Sequence, residues 1–207
     1  IMLTSSHASE GKSFTSITLC RKLAERGKRV VLVDTDLRRS MITTVYGVQF
    51  APGSKKQGLS HYLAGIAEKE EVLFHTNVPG MDFIPMGHEL LNPIPLLSSE
   101  RFQNLLDELA EQYDYVIVDA APVGVVIDAA EIAKVCDGIL LVVSYNQVHR
   151  QELIDAKNQL EQTGCPILGT ILNQVDYEGF ANKKYYYKSH YSSYYKAYEK
   201  EAEEKKS

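Results

Sequence analysis

Residues 5–13, SSHASEGKS, lie between an apolar opening, Ile1-Met2-Leu3-Thr4, and a run in which Phe14, Ile17, Cys20, Leu23 and Ala24 recur at helical spacing. The opening reads as the end of a buried β-strand, and the run as an α-helix from Ser13 onward. A small-residue loop ending in Gly-Lys-Ser between strand and helix is the context of a phosphate loop. Backbone N–H groups in such a loop form a concave nest for an anion, and the helix N-terminus adds its positive end. Read this way, Ser9, Glu10, Gly11, Lys12, Ser13 and Phe14 form the nucleotide cradle. Lys12 then reaches the β- and γ-phosphates as a mobile point charge, and the Ser13 hydroxyl serves Mg²⁺. Ser6 stands at the first glycine of the usual G-x-x-x-x-G-K-[ST] pattern, and Ser9 where many phosphate loops carry another. Ser9 must tolerate a strained backbone or find a conformation without positive φ.

Two acid-tipped strands support this reading. In Arg29-Val30-Val31-Leu32-Val33-Asp34-Thr35-Asp36, four apolar residues describe a strand buried on both faces. Asp34 and Asp36 emerge at its carboxyl end, where open α/β sheets bind ligands. Carboxylates there hold a hydrated Mg²⁺ and orient or deprotonate an attacking hydroxyl; the alternative is a solvated turn with helix-capping aspartates. Tyr115-Val116-Ile117-Val118-Asp119 is a second such strand, the Walker B pattern, in which Asp119 holds Mg²⁺ through a water or a hydroxyl. Each signal is weak alone, but in this order they describe three sides of one site.

The 207 residues, 44% hydrophobic, suffice for one substantial core. A net charge of −5 argues against a general nucleic-acid binder. Cys20, Cys136 and Cys165 are widely spaced without a C-x-x-C pair, so they read as core residues in a reducing cytosol. There is no apolar run of transmembrane length and no secretory signal. The chain opens inside a strand without an initiator methionine and is expected to be part of a longer protein.

Along the chain, Glu25-Arg26-Gly27-Lys28 ends the first helix with Gly27 as a left-handed cap. Residues 58–63 suggest a short helix, 81–85 a strand, and Asn92-Pro93-Ile94-Pro95 a loop. Ser98 or Ser99 caps a helix whose stripe is Phe102, Leu105, Leu106, Leu109 and Ala110. His61, His75 and His88 lack ligand spacing. A short helix over 128–135, a strand over 138–143, a helix over 151–163 and a strand over 167–172 follow. Asn173, at the last strand's tip, is a candidate adenine contact or a turn former. Strands alternating with helices predict an α/β, doubly wound, mostly parallel sheet over residues 1–180.

Residues 181–207 differ in kind. Tyr185, Tyr186, Tyr187, Tyr191, Tyr194, Tyr195 and Tyr198 are seven of the thirteen tyrosines, interleaved with lysine and without apolar periodicity. The segment is expected to be flexible. Stacking on single-stranded nucleic acid, self-association, and presentation of phenols to a phosphoryl-transfer site are the three readings open to it.

With these residues in place, the chain resembles the bacterial tyrosine kinases of capsule and exopolysaccharide synthesis, a deviant-Walker class of phosphate-loop NTPase. SSHASEGKS is similar to their Walker A, VVLVDTDLR to their Walker A′, YVIVDAAP to their Walker B, and the tyrosine tail to their autophosphorylated cluster. The resemblance implies a cytoplasmic kinase using ATP and Mg²⁺, peripheral to the plasma membrane. It implies activation by the cytoplasmic stub of a transmembrane polysaccharide co-polymerase. Phosphorylation of tail tyrosines between subunits of a homo-oligomer, reversed by a cognate tyrosine phosphatase, is implied as well. By the same resemblance Lys12 binds ATP phosphates, Ser13 and Asp119 serve Mg²⁺, Asp34 engages the tyrosine hydroxyl and Asp36 lies nearer the metal. The family usually has Gly at position 9, Thr-Pro-Pro where Ala120-Ala121-Pro122 stands, and an amino-terminal helix for ring assembly that this chain does not show. A partition- or division-site ATPase is the neighbouring reading, but His7 stands where that class carries its signature lysine. A nucleotide-binding scaffold without catalysis is the third.

Overall fold

The computed structural model describes residues 1–45, 50–51, 53 and 55–175. The tyrosine cluster and its expected flexibility therefore lie outside the described residues. In chain order the elements are β1 (Met2–Ser5), α1 (Lys12–Glu25), β2 (Val30–Asp34), α2 (Ile42–Val45), α3 (Leu59–Leu63), α4 (Lys69–Val72), β3 (Phe74–His75) and β4 (Met81–Ile84). They continue with α5 (Ile94–Leu97), α6 (Glu100–Gln112), β5 (Tyr115–Asp119), α7 (Asp128–Ala133), β6 (Ile139–Ser144), α8 (Arg150–Glu161) and β7 (Ile167–Asn173).

The strands form one sheet in the order β3-β4-β2-β5-β1-β6-β7. All pairings are parallel except β3 with β4. This is the doubly wound sheet that the sequence predicts, with a short antiparallel edge that it does not. The central strands are apolar throughout because both faces are covered. Val30 and Leu32 pack with Leu3, Cys20, Ala24, Ile117 and Val142 on the α1 face. Val31 and Val33, one residue out of phase, pack with Met2, Val118, Phe102, Leu105 and Leu109 on the other. Burial of the four apolar side chains of α6, Phe102, Leu105, Leu106 and Leu109, stabilises that face by roughly 1.5–3 kcal/mol per residue.

Three expectations are corrected. Phe14 is 54% exposed, and the buried face of α1 is Lys12, Ser13, Ser16, Cys20 and Ala24, with Ile17 and Leu23 half-buried. A helix turns about 100° per residue, so presenting Ser13 to the strand tips swings Phe14 outward. Ala110 is likewise exposed on α6. The Asn92–Pro95 loop runs into α5, where Pro95 sits in the first turn and its missing N–H removes no helical bond. The caps hold: Gly27 has φ 78°, and Ser99 accepts from the Phe102 N–H.

The register of the three central strands sets the site. Asp34 lies opposite Asp119 across β2 and β5, and Leu3 opposite Asp119 across β1 and β5. All three strands point the same way, so their carboxyl ends and the N-terminus of α1 meet at one edge.

Candidate active site

The loop between β1 and α1 carries two left-handed residues, Ser9 at φ 66° and Gly11 at φ 86°. Ser9 thus takes the strained alternative. Gly11 has a second constraint, since a Cβ there would stand 2.0 Å from Asn173 Nδ2. The N-cap of α1 receives no side-chain bond, and among the described residues the N–H groups of Glu10, Gly11, Lys12 and Ser13 find no acceptor in the protein. A run of unpaired N–H groups at a helix start is an anion nest.

Three carboxylates surround one ammonium beside this nest. Lys12 Nζ lies 3.4 Å from Asp36 Oδ2 and 4.0 Å from Asp119 Oδ2. The Ser13 hydroxyl donates to Asp119 Oδ2 at 2.7 Å, and the Ser16 hydroxyl to Asp119 Oδ1 at 2.9 Å. Burial works against the Lys12 charge, but Asp119, Asp36 and Asp34 together hold its proton more firmly than usual. Burial also pushes Asp119 up, against the pull of Lys12 and the two serine hydroxyls. Asp34 is fully buried and is pushed to about 8, first by desolvation, then by Asp119 and Asp36; the Ser40 hydroxyl and Lys12 oppose the shift. Asp34 accepts from Ser40 Oγ and, at 3.3 Å, from the Asp36 N–H.

A cavity of about 510 Å³ opens over this cluster. Ser9, Gly11, Lys12, Ser13 and Asp36 form its polar side; Met41, Ala121, Pro122, Val125 and Val126 form an apolar wall. Asp34 and Asp119 lie behind that surface rather than on it. Arg38, at the rim, grips Asp128 through Nε (2.6 Å) and Nη2 (3.1 Å) and donates to Leu91 O at 2.7 Å. It thereby ties the segment after β2 to the start of α7.

The structure brings Ser9, Gly11, Lys12, Ser13, Asp34, Asp36 and Asp119 together. The Glu10 side chain turns into the protein, Phe14 faces outward, and the Asn173 carboxamide donates to the Glu10 carbonyl at 2.9 Å. His7 pairs at the surface with Glu152, 3.3 Å away. Sequence reasoning missed Ser16, although its place three residues after Ser13 on one helix face pointed to it. It also missed Ser40, Ser144, Gln174 and the Arg38–Asp128 pair, for which no local pattern exists.

Hard oxygen donors beside a phosphate nest fit Mg²⁺, which keeps waters and shares phosphate oxygens. The described residues hold no group of three or more His, Cys, Asp or Glu able to cage a metal alone. No helix among them is long and apolar enough to cross a membrane.

Comparison with known proteins agrees with the geometry. Residues 1–164 match the AAA domain family AAA_31. The tyrosine-protein kinase CpsD of Streptococcus agalactiae is 39% identical over 176 residues, covering 85% of this chain and 74% of its own length. The solved kinase domain of the Escherichia coli tyrosine kinase ETK superposes with a TM-score of 0.78 at 36% identity, covering 84% of this chain and 66% of that one. The septum site-determining protein MinD of Pyrococcus horikoshii, complexed with Mg-ADP, shares the fold at TM-score 0.66 but only 22% identity. The chain belongs to the bacterial tyrosine-protein kinases, enzymes of the phosphate-loop fold that phosphorylate protein tyrosine.

Proposed function

We propose that this chain transfers the γ-phosphate of Mg-ATP to tyrosines of its own C-terminal cluster, in the service of capsular or exopolysaccharide synthesis and export. One observation carries the reading: a free N–H nest, the Lys12 ammonium and the carboxylates of Asp36 and Asp119 meet beneath a cavity with one apolar wall. In this reading the N–H groups of residues 10–13 bind the nucleotide phosphates, and Lys12 swings from Asp36 onto the β- and γ-phosphates. Ser13, Asp36 and Asp119 would hold the Mg²⁺, which would neutralise charge on the phosphates. A phenol lies against Met41, Pro122 and Val125, and its oxygen forms the new bond to the γ-phosphorus as the bond to the ADP oxygen breaks.

The phenolic proton passes to Asp34 in its ionised form; like Asp119 it has a raised proton affinity, and its pKa of about 8 suits a general base. Asp34 is covered in this structure, so Ser40 and the segment 35–40 give way for that contact. Tyr185, Tyr186, Tyr187, Tyr191, Tyr194, Tyr195 and Tyr198 are the proposed acceptors, supplied by a second copy of the chain. The proposed partners are the cytoplasmic stub of a transmembrane co-polymerase as activator and a tyrosine phosphatase as antagonist. The test is intact mass after incubation with Mg-ATP, with and without an activator stub fused upstream, and with Lys12→Met alongside. Phosphate-sized increments mapping to residues 185–198 and lost in the variant are expected. An unmodified mass in both formats with ATP still bound would refute the reading.

A further inference from the structure

Glu10 is a buried carboxylate for which the proposed chemistry has no use. It is 2% exposed, and its side chain lines no part of the cavity. Oε1 accepts from the Ser6 hydroxyl at 2.8 Å and from the His7 N–H at 2.6 Å; Oε2 accepts from the Ser144 N–H at 2.8 Å, at the tip of β6. One carboxylate thus ties the start of the phosphate loop to a strand more than 130 residues away in sequence. Ser6, at the first-glycine position, supplies one of those donors.

A second set of ties acts on the loop's carbonyls. The Asn173 carboxamide donates to Glu10 O, and the Gln174 carboxamide donates to Ser9 O at 2.9 Å. Gln174 is itself fixed by the Ser144 hydroxyl, which donates to its Oε1 at 2.6 Å. In a trans peptide the C=O and the following N–H point in opposite directions. Drawing the carbonyls of Ser9 and Glu10 toward β7 therefore turns the N–H groups of Glu10 and Gly11 away from it, as a nest requires. The tie on Ser9 falls on the residue whose φ of 66° a glycine would adopt without strain.

We propose that Glu10, Asn173 and Gln174 are positioning residues that hold the phosphate loop in its anion-binding shape before nucleotide arrives, and that the Gln174 tie compensates for the glycine missing at position 9. The inference rests on the proposal that this loop binds the phosphates of ATP. It predicts a selective loss of nucleotide affinity rather than of turnover. In Glu10→Gln the new NH₂ must face either the His7 or the Ser144 N–H, donor against donor. The KM for ATP is expected to rise about tenfold, the worth of a charge-assisted bond, while kcat at saturating ATP stays within about twofold. Gln174→Met keeps the length and removes the donor, and is expected to raise KM about threefold. In a Ser9→Gly background the same Gln174→Met change is expected to have no measurable effect, because glycine holds the loop's φ unaided.

The experiment measures KM, kcat and equilibrium Mg-ADP affinity for these variants and for Lys12→Met, with melting temperature as a control for folding. Loss of kcat at unchanged KM in Glu10→Gln, or an equal cost of Gln174→Met in both backgrounds, would overturn the inference. Unchanged Mg-ADP affinity in Lys12→Met would instead remove the phosphate-loop reading beneath it, so the two failures are distinguishable.

Discussion

Replacing Asp34 by Asn tests the electrostatics at the base of the site. The folded protein lifts Asp34 from 3.8 to about 8, chiefly by desolvation and then by Asp119 and Asp36. Between those pH values the folded protein keeps a proton that the unfolded chain has released, so stability falls as pH rises through the window and levels off above about 8. At ~1.4 kcal/mol per pH unit, the ceiling of the effect is on the order of 6 kcal/mol. The part between pH 6 and 8 is about 2 kcal/mol, because Asp34 is only half ionised at pH 8. Asn is a fair mimic of the protonated acid. Its Oδ1 still accepts from the Asp36 N–H, and the Ser40 hydroxyl, which now donates to Asp34, turns and accepts. The assay is urea unfolding of the nucleotide-free protein in chelator, every half unit from pH 6 to 9, for wild type and Asp34→Asn. The variant is expected to gain about 2–3 kcal/mol on the wild type across that range. A gap that stays constant with pH would refute the assignment of a bound proton to Asp34.

Two further predictions concern the scaffold. Arg38→Ala leaves the Asp128 carboxylate, 1% exposed, without its bidentate partner. Because Arg38 is about a third exposed, the expected cost is about 2 kcal/mol rather than the full value of a buried pair. Denaturant unfolding measures it, and pairing Arg38→Ala with Asp128→Asn should recover part. Gly58→Ala would place a Cβ 2.3 Å from Pro85 O and 2.4 Å from Gly87 N, both backbone atoms unable to swing aside. A loss of about 3 kcal/mol is expected, read as a lowered melting temperature; a neutral outcome would mean that the 85–87 segment is free to shift.

The fold was legible because parallel strands covered on both faces leave a simple trace. Val30–Val33, Val116–Val118 and Ile139–Val143 are unbroken apolar runs, and each can only be a central strand between helical layers. What escaped were the pieces too short for a period to develop: α2, α4 and the two-residue β3. Tertiary contacts place them: Ile42 of α2 packs into the core, Lys69 of α4 donates to Glu108 Oε2 at 2.6 Å, and His75 Nδ1 of β3 lies 2.7 Å from Asp82 Oδ1. Phe14 misled for a related reason. Its hydrophobicity fits an inward stripe, but the face of α1 at that end is fixed by Ser13 and Ser16 meeting Asp119, and a helix cannot turn both inward.

The site was legible to the extent that its groups follow one another along the chain. Lys12, Asp34, Asp36 and Asp119 each stand at the end of a recognisable strand or loop, and strand register then brings them together. Their supporting groups obey no such rule. Ser144 and Gln174 meet Glu10 and Ser9 across 134 and 165 residues. Neither has a local pattern to mark it. A phosphate loop with glycine at position 9 can reach its shape through backbone freedom, whereas one with a left-handed serine there is held by side chains. The substitutions at positions 6 and 9 therefore read as departures within the motif. In the folded molecule the Ser6 hydroxyl is a donor to Glu10, and the left-handed Ser9 is met by the carboxamide that binds its carbonyl. Ser6 reaches the end of β6 through Glu10, and Ser9 meets Gln174 just past β7, which is why a motif read locally registers them as defects.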